Sequence, residues 1–261
     1  MKQNVKLSAC IEMCVPGVPF VDRLDVAAKA GIPAVEFWGW GGKDIDAIGK
    51  RAKDLGLEVA IFGAGGSQPT GDLKLPESRD GFVAAVRESI GVARKLGVDR
   101  LICTTGNEIA ELPRQQQHDA LVGNLKAAAP VLEGEGITLC LEPLNVLVDH
   151  AGYYLVTSVE GFQICREVGS PRVKLLYDIY HQQISEGFLI PTITANIDLI
   201  GHFHAADVPG RYEPGTGEIN YANVFAAIGK TSYDGYVGLE YRPTGDAEAC
   251  LRKVVEINAA A

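Results

Sequence analysis

The sequence predicts an α/β protein built as a single (β/α)8 barrel (a TIM barrel) over residues 1–261. Three observations predict it: a phrase that recurs along the chain, the number of its repeats, and the chain length. In the phrase a helical segment ends in Gly and a short run rich in Val, Ile and Leu follows. Examples are KAGIPAVEFW (29–38), DLGLEVAIFG (54–63), KLGVDRLICTT (95–105), GEGITLCLEP (134–143) and VGSPRVKLLYDI (168–179). The Gly marks a helix C-cap, where a left-handed backbone suits a residue without Cβ. The runs that follow are short and β-branched, so they read as strands buried on both faces. Alternating strands and helices force parallel strands joined by right-handed crossovers. Eight such units in 261 residues fit a closed barrel, whose usual length is about 250 residues. An open doubly wound sheet would want a glycine-rich nucleotide turn after its first strand, and Cys10–Val18 offers none.

Strands are expected near 5–12, 33–38, 57–62, 99–104, 137–142, 172–178, 200–205 and 235–240. Helices are expected where apolar residues recur at three- and four-residue spacing: 22–30, 45–55, 81–96, 119–133, 159–168, 221–228 and 247–257. Thr157-Ser158-Val159-Glu160 fits a capping box and places a helix start there. The stretch 182–198 has no clear pattern, although its position calls for a helix. Gly63-Ala64-Gly65-Gly66 has no helix opening from it, so it reads as a flexible loop over the barrel mouth rather than a phosphate cradle.

Composition sets the class. Hydrophobic residues make up 47% and charged residues 22%, the balance of an ordinary globular protein. Lys and Arg number 24 against 33 Asp and Glu, a net charge of −9, which argues against a nucleic-acid partner. The six cysteines form no CxxC pair and read as small buried hydrophobes in a reducing compartment. The N-terminus carries no signal-like apolar stretch, and no window approaches the ~18 apolar residues of a membrane span. A cytoplasmic location is expected.

A barrel carries its site at the C-terminal ends of its strands. Strand 5 ends in Glu142, strand 6 in Asp178, strand 7 in His204 and strand 8 in Glu240. Three carboxylates converging on one mouth would repel, and one would keep its proton unless a cation intervened. Three oxygen ligands with one imidazole suit Mn²⁺, Mg²⁺ or Co²⁺, and zinc also accepts them. The plainer alternative is four separate ion-paired groups. His181, just past strand 6, is either a donor to a substrate oxygen or a satisfied loop histidine. Arg211 is either a holder of an anionic or hydroxylated substrate or a surface arginine. Glu36, assigned to the end of strand 2, is expected at the same mouth, as a substrate contact or in an ion pair with another loop. His202 shares the strand face of His204 and reads either as a residue that supports the ligands from behind or as a packing residue. Trp38, Trp40 and Phe62 form either an apolar wall or plain core.

LEPLN (141–145), YDIYHQQISEG (177–187), GHFHAADVPGRYEPGTGEINY (201–221) and GLEYRP (238–243) resemble the hydroxypyruvate isomerase family, within the xylose-isomerase-like TIM barrels. VPFVDRLDVAAKAGIPAVEFW (18–38) is similar to that family's opening. The resemblance implies that Glu142 and Glu240 are the catalytic acid–base pair and also metal ligands, with Asp178 a further ligand and His181 and Arg211 substrate contacts. Typical members carry Gln where this chain has His204. Histidine there resembles the related ketose 3-epimerases. The expected chemistry is therefore enediolate formation from a small hydroxy-keto acid or sugar with one divalent ion. Moving the proton to the adjacent carbon isomerises hydroxypyruvate to tartronate semialdehyde. Returning it to the same carbon from the other face epimerises a ketose. An inosose dehydratase-like lyase and a non-catalytic sugar-binding barrel remain as alternatives, and barrels of this family often pair as homo-oligomers.

Overall fold

A computed structural model describes residues 4–65 and 72–261. Eight strands form a closed parallel barrel: β1 (Lys6–Cys10), β2 (Ala34–Gly39), β3 (Glu58–Gly63), β4 (Arg100–Thr104), β5 (Thr138–Glu142), β6 (Val173–Asp178), β7 (Ile200–Ala205) and β8 (Tyr236–Leu239). The barrel closes where β1 pairs with β8, Ser8 opposite Gly238. The expected strands are all present. β1 stops at Cys10, because Ile11–Cys14 turns into a short helix, α1, across the barrel rim. There Cys14 Sγ donates to the Leu239 carbonyl at 3.0 Å.

The outer ring continues with α2 (Arg23–Lys29), α3 (Ile45–Leu55), α4 (Arg79–Leu96), α5 (Arg114–Glu135) and α6 (Ser158–Val168). It closes with α7 (Ile179–Ser185), α8 (Leu189–Ala195), α9 (Tyr221–Ile228) and α10 (Ala247–Ala260). Gly56 and Gly97, the caps of α3 and α4, sit at φ +68° and +71°, as the recurring phrase requires. Thr157 caps α6 by accepting from Glu160 N at 3.3 Å, while the Glu160 carboxylate pairs with Arg114 instead of closing the box. The unpatterned stretch resolves into α7 and α8, separated by Gly187 and by Phe188, whose φ of 51° lies in the left-handed region. Two short helices in different directions carry no single periodicity.

Strand side chains alternate between two cores. Those facing outward, such as Val35, Leu101, Leu139, Leu175, Phe203 and Val237, join the helices in one continuous apolar cluster. Those facing the barrel axis include a separate cluster of Ile61, Ile102, Cys140 and Leu176. All six cysteines are buried and unpaired. No helix among the described residues is long and apolar enough to cross a membrane.

Candidate metal and active site

Glu142, Asp178, His204 and Glu240 meet at the C-terminal mouth. Each offers one ligand atom, and these atoms all lie within 4.8 Å of one another. Alternation from β5 through β8 brings them together: each stands two residues beyond an axis-facing residue, namely Cys140, Leu176, His202 and Gly238. His204 Nδ1 lies 3.2 Å from Glu142 Oε1 and 3.4 Å from Glu240 Oε2. Asp178 also caps α7, its Oδ1 accepting from Tyr180 N at 2.8 Å and His181 N at 3.3 Å. That bond fixes the carboxylate and leaves Oδ2 facing the site.

Burial and mutual charge shift these groups. Burial raises the Asp178 pKa. Burial also opposes the charge on Glu240, but His204 and Arg211 outweigh it and hold its carboxyl low. For His204 burial favours the neutral ring, yet Glu240 and Glu36 hold its pKa well above the ordinary imidazole value. His204 Nδ1 faces the space between the carboxylates where a cation would sit. The donor set of buried carboxylate oxygens and one imidazole nitrogen fits a hard or borderline divalent ion.

Glu36 departs from expectation. It lies in the middle of β2, is 1% exposed, and points into the barrel below the mouth. Its partners lie on β1, beside it, and on β7, across the barrel axis, rather than on a loop. Ser8 Oγ donates to Oε2 at 2.6 Å, and His202 Nε2 lies 3.0 Å from the same oxygen. His204 Nε2 lies 3.0 Å from Oε1. Burial pushes the Glu36 pKa up, but His202 and His204 outweigh it and bring it to about 2. The assignment to a strand end fails because β2 runs on to Gly39. His202 lies below the site, its Nε2 against Glu36.

His181 is fully buried on α7 and is neutral: burial, aided by Arg211, lowers its pKa to about 3. Its Nδ1 accepts from Asn145 N at 3.1 Å, so Nε2 carries the proton. That N–H has no hydrogen-bond partner among the described residues and lies 3.5 Å from Asp178 Oδ2. Arg211 pairs with Glu240, lies 3.6 Å from Asp178 Oδ2, and stands 5.1 Å over the Tyr180 ring. Its Nε is buried without a partner among the described residues. Asp207 builds the loop that carries it. This fully buried carboxylate accepts from Val208 N, Gly215 N and Ile219 N at 2.9, 2.8 and 3.1 Å.

A cavity of about 280 Å³ opens beside the cluster, lined in part by Trp38, Gly63, Thr104, Glu142, His204 and Glu240. Trp38, 53% exposed, forms a wall and donates its indole N–H to Glu240 Oε1. Trp40 instead packs against the outer core and donates to the buried Ser89 Oγ at 3.1 Å, and Phe62 is core, stacked on Phe37 at 5.5 Å. Gly63 must lack a side chain, because a Cβ there would stand 2.0 Å from the Trp38 carbonyl. Of the expected mouth loop, Gly65 N donates to Ser89 Oγ at 2.8 Å, while Gly66 lies outside the described residues.

Sequence reasoning missed Asn145, which orients His181, and Asp207, which shapes the Arg211 loop. Asp207 has a legible signal: a lone acid opening a loop of Pro and Gly behind a strand. Asn145 has none, since its partner lies 36 residues away.

A closed barrel with a buried carboxylate–imidazole cluster at the mouth of its last four strands defines a class of barrel enzyme. The sequence model of the xylose isomerase-like TIM barrel family matches residues 24–256, and the chain belongs to that family. It is 37% identical over 260 residues to the hydroxypyruvate isomerase of Escherichia coli (strain K12), covering 95% of this chain and 97% of that one. It is 33% identical over 250 residues to the 2-oxo-tetronate isomerase of Cupriavidus necator, covering 94% and 96%. Among solved structures, the family 2 AP endonuclease of Brucella melitensis superposes with a TM-score of 0.89 at 30% identity, covering 97% and 98%.

Proposed function

We propose that this protein is a metal-dependent isomerase of small hydroxy-keto acids, converting hydroxypyruvate to tartronate semialdehyde through an enediolate. The observation that carries the reading is the convergence of Glu142, Asp178, His204 and Glu240 within 4.8 Å. The hydroxypyruvate isomerase and 2-oxo-tetronate isomerase relatives, matched over nearly the whole chain, support the substrate class.

In this reading those four residues hold one divalent ion, Mn²⁺, Mg²⁺ or Co²⁺, with zinc also compatible. When bound, the ion supplies Lewis acidity toward the substrate's carbonyl and hydroxyl oxygens. Glu142, whose carboxylate meets only His204 among the described residues, takes the proton from the hydroxymethyl carbon. A proton then returns to the neighbouring carbon from the glutamate pair, and the hydroxyl proton passes to the former carbonyl oxygen. The product is an isomer with nothing gained or lost. Glu240, held ionised between Trp38 and Arg211, completes the pair. His181 donates its free Nε2–H to a substrate oxygen. Arg211 offers its unpartnered Nε to the carboxylate. The cavity of about 280 Å³ suits a three- or four-carbon acid.

The net charge of −9 speaks against a nucleic-acid partner, and six unpaired buried cysteines suit a reducing cytoplasm. Proton NMR of hydroxypyruvate and a panel of ketoses, in deuterated water with Mn²⁺, tests the reading. Metal-dependent formation of tartronate semialdehyde is expected. Deuterium entry at C3 of a ketose with inversion, and no turnover of hydroxypyruvate, would replace it with 3-epimerisation.

A further inference from the structure

The geometry points to Glu36 as the positioning residue of the cation site: it locks His204 in the orientation and tautomer that present Nδ1 to Glu142, Asp178 and Glu240. The inference rests on the cation reading above and assigns Glu36 no contact with substrate. Three observations carry it. First, the two nitrogens of His204 face opposite ways, Nδ1 toward Glu142 at 3.2 Å and Nε2 toward Glu36 at 3.0 Å. The contact lies off the line of a full hydrogen bond, and neither Nε2 nor Oε1 has another partner among the described residues. A carboxylate this close still favours the proton on Nε2, which leaves the Nδ1 lone pair bare for a cation, and such a partner typically sets ring orientation and ligand basicity. Second, Glu36 is itself held. Ser8 Oγ at 2.6 Å and His202 Nε2 at 3.0 Å fix Oε2, which leaves Oε1 for His204. Third, the barrel makes room for it. Gly238 sits inside β8, where glycine weakens a strand, and a Cβ there would stand 2.3 Å from Glu36 Oε1 and 2.5 Å from Oε2. Four strands thus contribute to one arrangement: Ser8 from β1, Glu36 from β2, His202 and His204 from β7, and Gly238 from β8.

Isothermal titration with Co²⁺ and the visible absorption of the Co²⁺-loaded protein test this without relying on turnover. Glu36→Gln, equal in volume, should weaken Co²⁺ binding by about 10–100-fold and shift the absorption bands. Gly238→Ala, which crowds the carboxylate, should weaken it in the same direction, and Ser8→Ala by a smaller factor. Leu132→Ala, a buried truncation on α5 outside the barrel interior, serves as a control that loses stability without losing affinity. A merely structural Glu36 would behave like that control. If Glu36→Gln does not fold, the Gly238 and Ser8 variants decide. Co²⁺ affinity and spectrum unchanged in the folded variants would overturn the positioning role alone, provided Asp178→Asn still abolishes binding. No Co²⁺ uptake by the unmodified protein would overturn this inference together with the cation reading.

Discussion

The barrel interior has two unlike halves beneath one mouth. Under β3 to β6 the axis is filled by Ile61, Ile102, Cys140 and Leu176, an apolar plug. Under β7, β8, β1 and β2 it holds His202, Gly238, Ser8 and Glu36, all buried. Glu142 and Asp178 rise from the first half, His204 and Glu240 from the second. The difference shows how a site divides labour. Carboxylates above the plug are fixed from the rim, as Asp178 is by the amides of α7. An imidazole must present one chosen nitrogen and so takes a polar partner from beneath.

The comparison can be broken or sharpened by measurement. The largest effects belong to the mouth. Glu142→Gln and Glu240→Gln should each lower kcat by about 10²–10⁴-fold while the melting temperature holds near that of the unmodified protein. Steady-state kinetics with thermal unfolding checks both, and unchanged kcat in either would remove that residue from the acid–base pair. Next comes the plug. Leu176→Ala should cost about 2–5 kcal/mol of stability in urea unfolding, the usual range for a buried leucine. A loss under about 1 kcal/mol would show that the plug does not brace the barrel.

Arg211→Ala should raise KM about 10–100-fold for keto acids, consistent with a charge-assisted hydrogen bond of roughly 1.5–3 kcal/mol. Neutral ketoses should be far less affected, and equal losses would contradict carboxylate recognition. The smallest effect is in the loops above the polar half. Glu213, after β7, accepts from Thr244 N at 3.1 Å and Thr244 Oγ1 at 2.5 Å, after β8. Burial opposes its charge, but the Thr244 bonds prevail and lower its pKa. A carboxylate depressed in the folded state stabilises above its unfolded pKa, and that contribution fades as pH falls toward the folded value. Thr244→Val should therefore cost about 1 kcal/mol near pH 7 and progressively less in acid. A deficit independent of pH would assign it to packing instead.

Much of this architecture is legible in the amino-acid sequence. The strands show through their apolar runs because both faces are buried, and α3, α4, α6, α9 and α10 through periodicities that one packed face imposes. The ends of β5 to β8 display the ligand set because a barrel sends every strand to the same mouth. The rest is hidden for identifiable reasons. Glu36 is misplaced by pattern alone, because a pattern gives a strand's presence better than its end. Trp38 reads as an apolar wall because its bond to Glu240 joins residues 202 apart.

The order of residues by itself determined the barrel, its direction and the four side chains at the mouth, since each follows from local alternation and from the rule that parallel strands end together. Only the tertiary structure decided what lies underneath. Glu36 and His202 are 166 residues apart and meet across the axis only once β8 returns to β1 and Gly238 leaves the space between them. Closure of the ring is a long-range event, and no periodicity within a strand reports which side chains will share its centre.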